Sequence, residues 1–423
     1  MQNAYPATQS YRWVICGCSL LILMVSNGMT LGGMAVFDIE LMKSLSEIAG
    51  REISVTEIKL RDSIMLGTAS IFGLGTGWLV DKVGVKPLIL VGLAIFAAGN
   101  FMYSQIQSLA HMYWIQVSFG AVLALCGLMI NVYLISSWFD KQRGLAIGLV
   151  LGGSSIGNAF FPQLNTWLMT MADWRQVFVW IALIPLALIP LAFFLLKRGP
   201  SSAGLPTANT KAGPPIVLTG YSLAEALSSR NFWIVATIAM CTFYCILGMS
   251  ANVFIYMSKA NYSAASASTG VSILFIGGLI GKVISGHLAE NFGRKRILLT
   301  GLGLMLTGGV SLMLAIKLDS SFALWAGLVA FGFGWGGIYT LIQLLAADLF
   351  GMRSLGKILA AINILDAAGG ALGPVMTGIL FDVSGSYFLP FGVITGLLCV
   401  ATIAASLLDL KQAAIEKARL AAR

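Results

Sequence analysis

Charge is scarce in this 423-residue chain: Asp, Glu, Lys and Arg make up 10% of it, against about 25% in an ordinary soluble domain. So few charges cannot clothe a water-facing surface on a chain of this length, which leaves hydrocarbon as the main surroundings. Histidine is almost absent, and the two present, His111 and His287, have no neighbour at metal-ligand spacing. The six cysteines, Cys16, Cys18, Cys126, Cys241, Cys245 and Cys399, all lie in apolar runs. No histidine or further cysteine stands beside their CxC and CxxxC spacings to complete a metal site. Helix packing is their expected use. None of the glycine groups ends in the Lys-Ser/Thr of an ATP-binding loop, which argues against direct ATP-driven work. No catalytic constellation, metal or cofactor is expected. The net charge of +9 sits in short clusters between apolar runs rather than in a stripe, a poor arrangement for binding nucleic acid.

Apolar length is abundant: 58% of the residues are hydrophobic. A helix needs roughly 20 apolar residues to cross the hydrocarbon core. Twelve such segments are predicted, near 13–36, 63–80, 87–106, 110–136, 144–168, 174–196, 232–257, 266–288, 297–316, 322–346, 355–380 and 386–409. These runs far exceed the length of a barrel strand, and backbone groups in lipid must bond within their own segment, so helices follow. Tyr11-Arg12-Trp13 leads into an apolar stretch longer than the core of a cleaved signal peptide, and it reads as the first span. The expected fold is all-α: a polytopic membrane protein with twelve transmembrane helices in two six-helix bundles.

Basic residues set the expected orientation. Lys82 and Lys86 follow span two, Lys141 and Arg143 span four, Lys197, Arg198, Lys211 and Arg230 span six. Arg294, Lys295 and Arg296 follow span eight, Arg353 and Lys357 span ten, and Lys411, Lys417, Arg419 and Arg423 form the tail. All fall on one side if both termini do, and that side is expected to be cytoplasmic in a multi-pass protein of the cell membrane, a cell inner membrane. The first opposite loop, 37–62, is long but nearly balanced in charge, holding Lys43, Arg51, Lys59 and Arg61 beside Asp38, Glu40, Glu47, Glu52, Glu57 and Asp62. Another surface helix is possible there, with no role assigned. Gly199-Pro200, Gly204-Leu205-Pro206 and Gly213-Pro214-Pro215 punctuate residues 197–231. The expected organisation is therefore 1–196, a first bundle; 197–231, a cytoplasmic linker with a short helix near 221–229; 232–410, a second bundle; and 411–423, a cytoplasmic tail. Two six-span halves already supply an interface, so a functional monomer in contact with membrane lipids is expected.

The halves echo each other. Gly77-Trp78-Leu79-Val80-Asp81-Lys82-Val83-Gly84-Val85-Lys86 and Gly286-His287-Leu288-Ala289-Glu290-Asn291-Phe292-Gly293-Arg294-Lys295-Arg296 both read G-xxx-acid-xx-G with basic residues following. The glycines allow a tight turn and close helix approach, and the acid is suited to a nearby helix start. A fainter echo pairs Trp138-Phe139-Asp140-Lys141-Gln142-Arg143-Gly144 with Leu349-Phe350-Gly351-Met352-Arg353-Ser354. With these motifs the whole chain resembles the major facilitator superfamily. Ala367-Ala368-Gly369-Gly370-Ala371-Leu372-Gly373-Pro374 and Phe381-Asp382-Val383-Ser384-Gly385-Ser386-Tyr387 make its second half similar to the oxalate/formate antiporter and monocarboxylate transporter branch. The resemblance implies alternating access, with spans 1, 2, 4, 5, 7, 8, 10 and 11 lining a cavity and Gly77, Asp81, Gly84, Gly286, Glu290, Gly293, Arg143 and Arg353 in conformational gating. It also implies substrates such as formate, oxalate or lactate.

Lys282 is an ionisable residue inside span eight, about eight residues, or roughly 12 Å, from Glu290. A lysine at that depth either snorkels to the interface or faces a solute cavity. In the related oxalate/formate carriers a span-eight arginine that binds the substrate carboxylate precedes the motif glycine by four positions, the place Lys282 holds relative to Gly286. Lysine offers a compact charge in place of arginine's bidentate fork, which supports an anionic substrate without the same specificity. Asp366 in span eleven could counter Lys282, relay a proton, or be a satisfied polar group against helix ends. Asn27, Tyr133, Asn158, Tyr339, Gln343 and Asn363 are further candidates for substrate binding, and Asn131, Gln163 and Asn165 are weaker ones. The expected function is a secondary active transporter of a small organic anion, a monocarboxylate such as lactate or formate, coupled to proton symport or anion exchange. An exporter of an amphipathic drug or metabolite and a non-transporting sensor are the alternatives.

Overall fold

A computed structural model describes residues 6–139, 142–197 and 220–408, with side chains from Ser10 onward. Among these residues twelve helices are long and apolar enough to cross a membrane. In the first half they are Ser10–Ala35, Val55–Val83, Val85–Tyr103, Leu109–Trp138, Arg143–Met169 and Trp174–Leu195; in the second, Arg230–Lys259, Ala264–Phe292, Arg294–Leu318, Ser321–Phe350, Leu355–Ser384 and Phe388–Ser406. They are spans 1 to 12 below. The all-α, polytopic reading holds. The linker residues 198–219, Asp140, Lys141 and the tail from 409 lie outside the described residues.

Span 2 starts eight residues before its expected position. Ser54 accepts from the Glu57 N–H while Glu57 accepts from the Ser54 N–H, a capping box that starts the helix at Val55. Lys59, Arg61 and Asp62, expected in a loop, are instead inside the helix and buried. The loop before it contains the helix Asp38–Ala49, ended by Gly50 at a positive φ of 65°. Among the described residues three spans are interrupted. Span 1 breaks at Leu31, between Pro6–Thr30 and Gly32–Ala35. Span 4 breaks at Gly127 between Leu109–Cys126 and Leu128–Trp138, and span 10 at Gly336-Gly337 between Ser321–Trp335 and Ile338–Phe350.

The chain divides into two compact units: Met1–Thr210 with Met257–Ser272, and Lys211–Tyr256 with Ile273–Arg423. In the first, span 1 packs on span 5, span 2 on span 4, and span 3 on spans 4 and 6. The first turns of span 8 belong to it as well: Thr166 and Ser268 share a hydroxyl–hydroxyl bond, and Gln163 donates to Thr269 at 3.3 Å and Ser272 at 3.1 Å. In the second unit span 9 packs on spans 10 and 12.

Small residues set how closely these helices approach, because lipid gives no hydrophobic drive for helix association. A methyl group on Gly153 or Gly157 of span 5 would stand 2.6 Å from the Leu20 carbonyl oxygen or 2.1 Å from that of Met24, both in span 1. Span 11 repeats the arrangement against span 7: Gly369 would meet the Met240 carbonyl at 2.2 Å and Gly373 that of Tyr244 at 2.5 Å. Each unit thus holds two glycines one helical turn apart, facing two carbonyls one turn apart. Gly144 and Gly148, at the start of span 5, have open space beside them and do no such packing.

Gly157→Ala or Gly373→Ala is expected to cost about 1–3 kcal/mol, since a rigid backbone must move to admit the new methyl. Gly148→Ala should be neutral or stabilising by up to about 1 kcal/mol. Thermal unfolding of the purified protein in detergent checks both, and equal effects at positions 148 and 157 would contradict this packing.

Candidate functional site

In the second unit, the break in span 10 lies directly against span 8. A side chain on Gly336 would stand 2.1 Å from the Gly278 carbonyl and 2.6 Å from the Lys282 backbone nitrogen, and one on Gly337 would meet Ser285. Gly278 and Gly281 sit equally close to Trp335 and to Phe333. Only glycines permit this crossing. It brings the half-buried Lys282 beside the start of the helix Ile338–Phe350, whose N-cap, Gly337, provides no side chain to satisfy the first-turn N–H groups. A helix start carries partial positive charge, so the lysine ammonium and the helix end favour the same kind of guest, an anion.

Asp366, on span 11, is 8% exposed, and its Oδ1 has no hydrogen-bond partner among the described residues. Neither Lys282 nor Asp366 belongs to any ion pair among the described residues. The counter-charge pair considered from sequence is therefore not formed in this conformation. Tyr339 lies within electrostatic reach of Asp366 and beside Gln343, one helical turn on. Its ring also meets Phe243 edge-on, at 5.7 Å. Asn363 is half-buried, one turn before Asp366.

The candidates of the first unit are engaged differently. Asn158 Oδ1 accepts from the Gly32 N–H at 2.7 Å, and its Nδ2 donates to the Ser154 carbonyl at 2.8 Å. Its amide bonds backbone where span 1 bends at Leu31–Gly32. Asn165 Nδ2 likewise donates to the Gly33 carbonyl. Asn27 Nδ2 donates to Ser154 Oγ, while its Oδ1 is buried without a partner. Tyr133 is half-buried against the core. Asn131 fills the break in span 4: its Nδ2 donates to the carbonyls of Cys126 and Gly127 at 2.7 and 2.8 Å, and its Oδ1 accepts from Ser19. One half thus plugs its interrupted helix with an amide, while the other sets a lysine beside its own.

The paired loop motifs have a shared geometry. Gly84 and Gly293 have φ of 86° and 89°, and each ends one span and starts the next without an intervening residue. Two positions on, Lys86 donates to the Phe193 carbonyl near the end of span 6, and Lys295 donates to the Ser406 and Leu408 carbonyls at the end of span 12. These lysines cap helix C-termini. Asp81 and Glu290 are exposed and accept no hydrogen bond among the described residues; Gly77 and Gly286 have open space beside them. Arg143 donates to Ser136 Oγ, and Arg353 lies 4.0 Å from Glu225 of the short helix Leu223–Ser228.

A sequence profile described as Major Facilitator Superfamily matches residues 16–374. The chain belongs to the major facilitator superfamily. It is a multi-pass membrane protein and a secondary transporter of a small molecule. Among its relatives is a protein named monocarboxylate transporter 13, from Rattus norvegicus, 27% identical over 360 residues, which are 85% of this chain and 80% of that one. The oxalate:formate antiporter of Oxalobacter formigenes is 28% identical over 309 residues, 71% of each chain. A fujikurins efflux protein from Gibberella fujikuroi is 24% identical over 334 residues, 78% of this chain and 69% of its own. Relatives of this one chain therefore carry names that span monocarboxylate transport, oxalate:formate antiport and fujikurins efflux.

Replacing Asn131 by Asp keeps its shape but turns both donors into acceptors facing two carbonyls. Asn131→Asp is expected to destabilise the protein by about 2–3 kcal/mol, by the loss of buried hydrogen bonds. Thermal unfolding in detergent measures the loss, and an unchanged midpoint would deny Asn131 its role in the span 4 break.

Proposed function

We propose that this facilitator carries a small organic anion, a monocarboxylate such as lactate or formate, with its carboxylate held by Lys282. The observation that carries the reading is the position of Lys282: within a span, without an ion-pair partner among the described residues, and with its backbone packed on the break in span 10, where no side chain caps the following helix. A discontinuous helix whose N-terminal end faces an anionic solute is a recurrent device of secondary transporters. Relatives named for monocarboxylates and for oxalate and formate support the same solute class. Tyr339, Gln343 and Asn363 supply hydrogen-bonding groups in the same unit.

Asp366 is the proposed second charge. A buried carboxylate with an unsatisfied oxygen is costly, and a proton or a donor group of the solute relieves that cost. Proton symport lets the anion cross with charge compensation, and exchange for a second anion does so equally. In this reading the two six-helix bundles, 1–196 and 232–410, reverse their opening about the solute. Both termini and the basic loop motifs face the cytoplasm, and one chain suffices. A second reading, export of an amphipathic metabolite, draws on the relative named for fujikurins efflux; in it Lys282 matters little.

Uptake of labelled lactate and formate into proteoliposomes under an imposed pH gradient tests the proposal. Lys282→Gln is expected to lower saturable uptake at least about tenfold, the loss of one charged hydrogen bond of about 1.5–3 kcal/mol. Lys282→Arg should retain part of it. Asp366→Asn is expected to weaken the response to the pH gradient more than the response to solute concentration. Unchanged carboxylate uptake in Lys282→Gln would discard the assignment, and flux of an amphipathic solute in its place would favour export.

A further inference from the structure

The helix Asp38–Ala49 is tied to the first unit through four buried charges. Both oxygens of Asp38 are engaged: Oδ2 accepts from Lys59 Nζ and Oδ1 from Arg61 Nη2, each at 2.5 Å. Arg61 Nε also donates to Asp62 at 3.1 Å, and Lys59 lies 3.5 Å from the other Asp62 oxygen. Asp38, Lys59 and Arg61 are each 0% exposed, and Asp62 is 8% exposed. Two acids and two bases make the cluster neutral. Arg61 reaches further, donating to the Met34 carbonyl near the end of span 1 at 3.1 Å. Tyr103 of span 3 lies within its electrostatic range and accepts from Gln116 of span 4 at 2.6 Å.

Apolar contacts reinforce the attachment. Leu41 and Leu45 are buried, and Phe37 packs on Phe178 of span 6 at 4.4 Å. After the helix the chain folds back, with the Ile53 N–H donating to Ser46 Oγ of the helix, and the Tyr113 hydroxyl donates to the Glu57 carbonyl. Segments that move as lids have few buried contacts and exposed backbone hydrogen bonds; this loop buries Asp38, Leu41 and Leu45 and exposes residues 47–52. A charge cluster also fixes register in a way apolar packing does not, because sliding the helix would strand a buried ion.

We infer that Asp38, Lys59, Arg61 and Asp62 act together as a charge-neutral pin that fastens the helix Asp38–Ala49 to spans 1 and 2, making the loop between those spans a fixed part of the first unit and not a lid. The pin sets helix register through mutual pairing, so removing one charge harms the protein, and removing an opposite charge as well repairs most of the harm.

The test compares full-length wild type, Asp38→Asn, and Asp38→Asn with Lys59→Met, which leaves the Arg61–Asp62 pair. Thermal unfolding in detergent and amide hydrogen exchange of residues 38–49 are the readouts. Asp38→Asn is expected to lower the unfolding midpoint by about 3–6 °C, as expected for a stranded buried charge, and to speed exchange about tenfold or more. The double variant should regain most of both. A loss under about 2 °C in Asp38→Asn, or losses that add in the double variant, would overturn the pin. So would fast exchange of 38–49 in the wild type, as a lid would give. If Asp38→Asn does not accumulate, the double variant decides: accumulation with slow exchange supports the pin, and failure overturns it.

Discussion

A peptide group in hydrocarbon has no water to bond, so it must find its partner inside the protein. This constraint makes the twelve runs helical, and it makes every helix interruption conspicuous. Among the interrupted spans, the fourth of each half breaks, at Gly127 and at Gly336-Gly337. At the first, Asn131 takes up the freed carbonyls. At the second, span 8 closes in through Gly278 and Gly281, and Lys282 stands at the junction. The same physical problem is solved once by an amide of the protein and once with a cation to hand. That asymmetry between otherwise similar halves is where solute recognition is best sought.

The similarity of the halves is itself physical. Gly153 and Gly157 against span 1 are matched by Gly369 and Gly373 against span 7. Gly84 and Gly293 turn the chain with nearly the same φ, and Lys86 and Lys295, each two residues later, bind the last carbonyls of spans 6 and 12. Close glycine packing and capped helix ends make each set of spans stiff. Stiff bodies suit a transporter that works by reorienting helices as groups.

Much of this was legible in the sequence. Apolar length located the spans, because the cost of burying peptide groups in lipid leaves little choice of structure. The repeated G-xxx-acid-xx-G drew attention to Gly84 and Gly293, and the rarity of charge within spans drew it to Lys282 and Asp366. The helix breaks were not legible, since Gly127 and Gly336-Gly337 sit among many glycines, and only the neighbouring helix decides which of them interrupts. The early start of span 2 is not legible because Lys59, Arg61 and Asp62 read as loop charges until Asp38, more than twenty positions away, joins Asp62 in balancing Lys59 and Arg61. Asn158 bonds backbone at Gly32 and Ser154, and no single-residue signal in the sequence separates that use from solute binding.

The central claim is that Lys282 faces a water-filled path that an anion enters. The most direct measurement replaces the six native cysteines, introduces Lys282→Cys, and follows its reaction with a charged, membrane-impermeant thiol reagent in proteoliposomes. The account predicts labelling from the aqueous phase that added lactate or formate slows. Labelling only by lipid-soluble reagents, with no effect of either anion, would contradict it.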